Sequence, residues 1–412
     1  MPSRRVLSAA AVGLLLAVFA QAPPAEAAPN ANTPYPVFSG DANPVPDERT
    51  GYHVRNQLRA IFDADVAAGA GSNAGNDFWV DRMLARTGNQ PGGGNGDANT
   101  YLFSRGRAAF MKTHRPGVLG FGGEVAYIET VAGGQGAYTI TASVDGSGVT
   151  LTEDAAQRRQ TPSYWRGVFT GAGLTVVLTK YITDANVAVS TVELSSTTGA
   201  ARDVTLTASS PFARTTDGAE LTGAVPAFNK LTTLFPRFSG DGFTPVDGTL
   251  RQTLAVPASG TVVTKLQLGF VTREQPASTV EYQRYRGLDP RRAFTEHVTA
   301  YNRWWADNVP YLDTPENNID KTLFYRWWLM RYNFLDADLP GNDYQFPTSM
   351  EGVLGYNNAI VLTVGMFVDD LKYFRDPVYS YGPWVSAGEV AKSSKYVDNP
   401  GDPANWSNSY TE

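Results

Sequence analysis

The chain has 412 residues, a formal net charge of −6, three histidines and no cysteine. The acidic balance argues against nucleic acid or an anionic membrane surface as a partner, and the few histidines argue against a zinc site. A chain of this length buries a large core without disulfides, so we expect a globular protein that needs no metal and no other cofactor.

The first 27 residues have the layout of a secretory signal peptide. A basic start over residues 1–5 precedes an apolar run over 6–20, which is too short to span a bilayer comfortably. Small residues of a cleavage site follow at Ala25-Glu26-Ala27. We therefore expect a secreted, extracellular protein without a membrane span, whose mature chain begins near Ala28.

Residues 28–100 are predicted to be a flexible N-terminal segment with one short helix over 52–68. The glycine run at 92–96 lacks the Lys-Ser/Thr ending of a phosphate loop. The three histidines, at 53, 114 and 297, have no metal-ligand spacing. We interpret each of them as an ordinary surface or half-buried histidine.

Residues 101–280 are predicted to form an antiparallel β-sandwich. Runs rich in Val, Thr and Leu alternate with a period near two and end at Gly, Asp or Ser clusters. These runs cover 173–183, 186–196, 201–209 and 261–272. No helical pattern lies between them to support a parallel sheet.

From residue 281 the hydrophobic period becomes helical. Residues 281–315 are predicted to be a linker with a helix over 292–305, and residues 316–412 to be helical hairpins. Thr314, Pro315 and Glu316 have the chemistry of an N-cap and first helical turn. The helix that follows presents an apolar face of Ile319, Leu323, Trp327, Met330 and Phe334.

A second hairpin helix is predicted over residues 359–374. It is apolar on nearly all sides, which is typical of a helix inside a larger helical assembly. A further helix start at 407–412 leads us to expect a barrel that is truncated here or completed by another molecule. The pattern also predicts a solvated face at Asp369-Asp370 and ion pairs for Arg326 and Arg331.

Aromatic residues concentrate at 301–384, which holds 19 of the 48 in the chain. They are interleaved with Asp, Asn, Gln and Glu in the loop 339–358. Such a mixture suits a surface that stacks on sugar rings and hydrogen-bonds to their hydroxyls. The alternative is a well-packed aromatic core, because large rings bury the most area per residue.

This order of segments resembles the six-hairpin glycosidases of the glucosidase and mannosylglycerate hydrolase kind. The strand series at 173–213 is similar to the sandwich domains that precede their barrels. The segment 301–305 with Val309-Pro310-Tyr311-Leu312 is similar to the linker into their first barrel helix. The resemblance implies an antiparallel β-sandwich followed by the first helical hairpins of an (α/α)6 toroid. It also implies a secreted glycoside hydrolase that uses carboxylate acid/base catalysis on an oligo- or polysaccharide.

The candidate site is predicted in the loop 339–358. Glu351 is the catalytic candidate, with a salt bridge or a helix-terminal charge as its structural alternative. Many relatives carry Trp-Asp just before the second barrel helix, whereas this chain has Tyr356-Asn357, and an amide cannot transfer the proton. Three alternatives remain: Glu351 or Asp343 takes over that role, this subfamily uses another position, or the site is not catalytic. The resemblance also implies a pair of carboxylates on helices far apart in sequence, so the second one is expected beyond residue 412. Sugar-binding candidates are Asp343, Tyr344, Tyr356, Asn357, Asn358 and Trp384.

Each sugar-binding candidate also has a structural interpretation. Asp343 fits a turn, Tyr356 to Asn358 fit a helix cap, and Trp384 fits a loop that it would staple. Two other functions therefore remain open. One is a carbohydrate-binding module without catalysis, and the other is an exported structural protein without a sugar site.

Overall fold

The structure is a computed structural model that describes the chain from residue 106 to residue 404, with gaps. The predicted signal peptide and N-terminal segment lie outside the described residues, as does most of the loop 339–358. The described ranges are 106–115, 117–127, 129–130, 135–160, 163–227, 232–272, 276–309, 319, 323, 326–327, 330–335, 346–349, 361–390, 396–399 and 402–404.

The described residues form many strands and few helices. The strands are β1 (Ala109–His114), β2 (Gly120–Phe121), β3 (Gly123–Tyr127), β4 (Glu129–Thr130), β5 (Tyr138–Val144), β6 (Ser147–Val149), β7 (Thr152–Gln160), β8 (Trp165–Gly171), β9 (Leu174–Ile182), β10 (Val187–Ser196), β11 (Arg202–Ser209), β12 (Thr215–Asp217), β13 (Glu220–Thr222), β14 (Val225–Ala227), β15 (Thr232–Leu234), β16 (Arg237–Gly240), β17 (Thr244–Val246), β18 (Thr249–Val256), β19 (Thr261–Gly269), β20 (Phe334–Leu335), β21 (Thr348–Ser349), β22 (Tyr396–Asn399) and β23 (Asp402–Ala404). The helices are α1 (Pro276–Arg286), α2 (Pro290–Asn308), α3 (Val361–Leu371) and α4 (Val378–Val390).

Two antiparallel sheets pack face to face. One has the strand order β12-β13-β16-β19-β10-β9-β8-β7, and the other has the order β17-β18-β11-β5-β2, with β6 paired to β5. Buried residues of both sheets share one core, including Leu178 and Val192 from the first and Leu206 and Ile140 from the second. The predicted antiparallel sandwich is confirmed at this level, and the four runs identified from sequence are β9, β10, β11 and β19.

Tight turns set the register of the hairpins. Asp145 and Gly146 connect β5 to β6, and Asp247 and Gly248 connect β17 to β18, with all four residues at positive φ. Two consecutive residues at positive φ define the hairpin turn whose twist matches that of the strands, and Asp-Gly is its favoured sequence. Local chemistry is therefore sufficient to place these two turns.

The larger sheet is covered on its other face by α1 and α2. Tyr181 and Val189 project from β9 and β10 into a second core with Tyr282, Tyr285 and Val298 of the helices. A strand buried on both faces has a continuous apolar run, and six consecutive residues of β10 from Val187 are indeed buried.

A buried lysine fastens α1 to the sheet. Lys265 of β19 donates to the carbonyl of Tyr285 at 2.5 Å and to that of Leu288. The Tyr285 carbonyl lies in the last turn of α1, where cations are favoured, and Leu288 follows two residues after the helix ends. Burial lowers the pKa of Lys265, while Asp241 at 3.5 Å opposes that shift.

A buried carboxylate makes a second fastening at the sheet edge. Glu220 of β13 accepts from Arg237 Nε at 2.7 Å and also pairs with Arg286 at the end of α1. The exposed Asp217 lies 3.4 Å from Arg237. One acid therefore links two sheet strands to a helix.

The helical part differs from the sequence prediction in three places. The described positions from Ile319 to Tyr332 are helical, but Phe334, predicted on the same helical face, begins β20 instead. β20 pairs with β21, so the predicted loop 339–358 contains a short strand at residues 348–349. α3 is not buried on all sides within the described residues, because Met366 is 63% exposed.

Candidate functional site

Trp384, a predicted sugar-binding residue, lies on α4 and not in a loop. The sequence Gly382-Pro383 is expected to break a helix, but both residues lie within α4. Gly382 is required there, because a Cβ at that position would lie 1.8 Å from the carbonyl oxygen of Pro347. The missing side chain lets the segment before β21 lie directly on the helix.

Phe346 and Tyr381 meet at this junction, and Trp384 follows Tyr381 by three residues on α4; we call these three residues the aromatic shelf. Tyr381 and Trp384 are 52% and 55% exposed, and residues three apart share one helix face. The ring of Phe346 packs edge-on against that of Tyr381, with 5.1 Å between centroids. The described part of the chain thus presents two accessible rings beside a fixed strand.

The strand beside the aromatic shelf leads into the predicted catalytic loop. Thr348 and Ser349 of β21 are buried, and β21 packs on α4. Glu351 follows two residues later and lies outside the described residues. The same holds for five sugar-binding candidates: Asp343, Tyr344, Tyr356, Asn357 and Asn358.

Trp304 and Trp327 contribute to packing, which agrees with the alternative interpretation of an aromatic core. Trp304 donates from Nε1 to the hydroxyl of Tyr379 at 2.8 Å, and its ring also contacts Phe334 and Phe374. Trp327 is buried and donates to the carbonyl of Asp370 at 3.1 Å. This cluster joins α2 to α4 through the contacts of Trp304 with Tyr379.

The charged residues near this cluster have mixed outcomes. Arg326 forms the predicted ion pair, with Nη2 lying 2.6 and 2.8 Å from the two carboxylate oxygens of Asp370. Asp370 is consequently not part of a solvated face, whereas Asp369 is exposed and pairs only with Lys372. Arg331 forms no ion pair in the described part of the chain, and instead its guanidinium stacks on Trp304.

Two histidines are more buried than predicted. His114 is fully buried and packs edge-on against Trp165. His297 stacks on Tyr181, with ring centroids 4.3 Å apart, and its Nε2 lies 2.7 Å from the carbonyl oxygen of Ser163. Burial lowers the pKa of His297 to about 4, although the bond to Ser163 opposes that shift.

Two further features concern the described ranges only. No group of three or more His, Cys, Asp or Glu residues there is arranged to hold a metal ion. No helix within those ranges is both long and apolar enough to cross a membrane.

Sequence reasoning missed Phe346 and Tyr381 as site residues. The i, i+3 spacing of Tyr381 and Trp384 is a signal only once α4 is recognised as a helix. The sequence pattern did not predict that helix, because Gly382 and Pro383 disfavour helices. The contact between Phe346 and Tyr381 depends on how β21 lies against α4, which has no local signature.

Comparison with known proteins gives a distant likeness. No protein-family model matches the chain. Among solved structures it is similar to a putative kojibiose phosphorylase from human microbiome, with a TM-score of 0.46 and 10% identity, covering 71% of this chain and 44% of that one. It is also similar to a family GH92 alpha-mannosidase from Bacteroides thetaiotaomicron, with a TM-score of 0.25 and 9% identity, covering 57% of this chain and 36% of that one. The chain spans less than half the length of either structure.

Proposed function

We propose that this chain belongs to a secreted carbohydrate-active protein and is all or part of a six-hairpin glycoside hydrolase. The observation that carries the proposal is the aromatic shelf, where Tyr381 and Trp384 are exposed beside the strand that leads to Glu351. Large aromatic side chains bury much area on contact with a ligand at low cost in side-chain entropy. An apolar sugar face stacks on such rings.

Glu351 is the proposed proton-transfer group. It follows Ser349 by two residues, and two residues of backbone span at most about 7 Å. The buried strand β21 therefore limits how far the start of the loop extends from the aromatic shelf. Inverting hydrolysis needs a second carboxylate about 6.5–9.5 Å from the first. In this proposal another part of the protein supplies it.

Sugar binding by the aromatic shelf is tested with Trp384→Ala and Tyr381→Ala in the full chain. Each change should weaken binding to soluble polysaccharides roughly tenfold, on the scale of the ~1–3 kcal/mol that stacking of a nucleobase on an aromatic ring contributes. Binding is measured by isothermal titration calorimetry against a panel of neutral glucans and mannans.

Tyr373 provides the matched control, because it is 60% exposed but lies outside the aromatic shelf. Tyr373→Ala should bind sugars as the wild type does. Equal loss in all three variants, or no sugar binding by the wild type, would remove the aromatic shelf as the binding surface.

Catalysis is tested separately with Glu351→Gln. Turnover of a hydrolysed oligosaccharide should fall at least ~100-fold if Glu351 transfers the proton, while sugar binding stays close to that of the wild type. Asp369→Asn is the control, since Asp369 is exposed on α3.

The second candidate function is carbohydrate binding without catalysis. Tyr356-Asn357, where the resembled enzymes carry Trp-Asp, favours it. Sugar binding that depends on Trp384, together with no hydrolysis by the wild type, would select this function.

A further inference from the structure

Arg331 is held in an unusual environment for an arginine. Its guanidinium carbon lies 4.0 Å from the ring centroid of Trp304 and 4.9 Å from that of Tyr301. Both rings belong to α2, so one helix supplies an aromatic wall for the cation. Trp304 is itself fixed by its bond to Tyr379. The orientation of the guanidinium is therefore set by a rigid neighbour.

Among the described residues, no acid matches the charge of Arg331. In the part of the chain that the structure describes, Arg331 has no ion pair, and its buried Nε donates no hydrogen bond within the protein. Arg326, five residues earlier, pairs with both carboxylate oxygens of Asp370. A buried donor without an acceptor costs about 1–3 kcal/mol, and no group in the described part of the chain offsets that cost for Arg331.

Arg331 as a whole is half-buried, so the residue keeps some accessible surface. Planar guanidinium groups bind carboxylate and phosphate oxygens through paired N–H donors. Aromatic stacking leaves those in-plane donors available, because it occupies only the face of the group. The positive charge also acts on its surroundings and contributes to the low pKa of the neighbouring His297.

We propose that Arg331 is an oxyanion-binding residue, with Trp304 and Tyr301 holding its guanidinium in position. The ligand is a small molecule or sugar that carries a carboxylate or a phosphate group. This site shares no residue with the aromatic shelf. It stands whether or not the protein hydrolyses glycosides, because the argument rests on the unmatched cation alone.

The test is calorimetric titration of the full chain with inorganic phosphate, glucuronate and glucose at constant ionic strength. Phosphate, glucuronate or both should bind, and glucose at the same concentration should produce none of that signal. Binding of glucuronate alone identifies a sugar carboxylate as the source, and binding of phosphate alone identifies free or esterified phosphate.

Variants then assign the binding to Arg331. Arg331→Gln should weaken binding of the anion at least tenfold. Arg331→Lys should weaken this binding less, because lysine keeps the charge although it lacks the planar donors. Arg326→Gln is the control on the same helix and should stay within twofold of the wild type. Circular dichroism shows whether each variant is folded.

If Arg331→Gln does not fold, protection is measured on the wild type instead. The bound anion should slow modification of Arg331 by phenylglyoxal, followed by peptide mass spectrometry, while Arg326 reacts unchanged. The proposal is overturned if neither anion binds the wild type. It is also overturned if binding survives in Arg331→Gln, or if the anion leaves the labelling of Arg331 unaltered.

Discussion

The sandwich and the helical part treat the same kinds of residue differently. In the sandwich, Trp165 is fully buried, and the buried Lys265 and Glu220 each have partners that fasten α1 to the sheet. In the helical part, Trp384 is exposed and Arg331 has no acid partner in the described residues. Buried groups whose charges and hydrogen bonds are matched within the protein stabilise the fold, whereas exposed rings and unmatched cations remain available to ligands.

The two tryptophans provide the largest test of this comparison. Trp165→Ala should lower the free energy of unfolding by about 4 kcal/mol, because it leaves a cavity in the shared core of both sheets. It also removes the ring that lies 4.2 Å from Lys180 Nζ. Trp384→Ala should lower that free energy by less than about 0.5 kcal/mol.

Both values come from urea unfolding followed by circular dichroism in the β-sheet region. Comparable destabilisation by the two substitutions would mean that Trp384 is a structural residue. The contrast between the two parts of the molecule would then be lost.

The next largest effect is the pH dependence that His297 imposes where the two parts meet. Its folded pKa of about 4 lies below the ordinary value of 6.5, so the unfolded chain binds the proton more readily. The stability from neutral His297 is complete above pH 6.5 and is lost as pH falls towards 4, by up to about 3 kcal/mol. Asp241 acts in the opposite direction, since burial raises its pKa.

Unfolding free energies of the wild type and of His297→Gln between pH 7 and pH 4 isolate this contribution. The variant should lose less stability than the wild type over that interval. Parallel curves would show that His297 does not titrate differently in the folded and unfolded states.

A smaller effect is expected at the sheet edge. Glu220→Gln should lower the free energy of unfolding by about 2 kcal/mol, because it leaves Arg237 and Arg286 without their shared buried acid. The full cost of breaking a buried pair is about 3–5 kcal/mol, and we reduce it because both arginines are partly exposed.

Asp217→Asn is the matched control. Asp217 contacts the same arginine from an exposed position, where an ion pair contributes about 0–1 kcal/mol. If both variants lose the same stability, burial of Glu220 is not what fastens α1.

Much of the sandwich was predictable because its determinants are local. Period-two alternation places β9 and β11, and the Asp-Gly pairs at 145–146 and 247–248 favour the turns that the structure contains. β10 was recognised from its Val and Thr content even though it is buried on both faces. Side-chain alternation and turn geometry are determined within a few residues, so they can be recognised in the sequence.

The candidate site depended far more on tertiary contacts. Trp384 was identified by residue type, but the helix that carries it was missed, because Gly382 and Pro383 usually break helices. In this fold the segment before β21 occupies the space that the missing side chain of Gly382 leaves. Phe334 looked helical by period, yet pairing with β21 makes it a strand residue. The sequence by itself determined the strand-rich half and its turns, because adjacent residues encode them. Only the tertiary structure decided which aromatic rings stay exposed and which arginine has an acid, because both depend on residues distant in the chain.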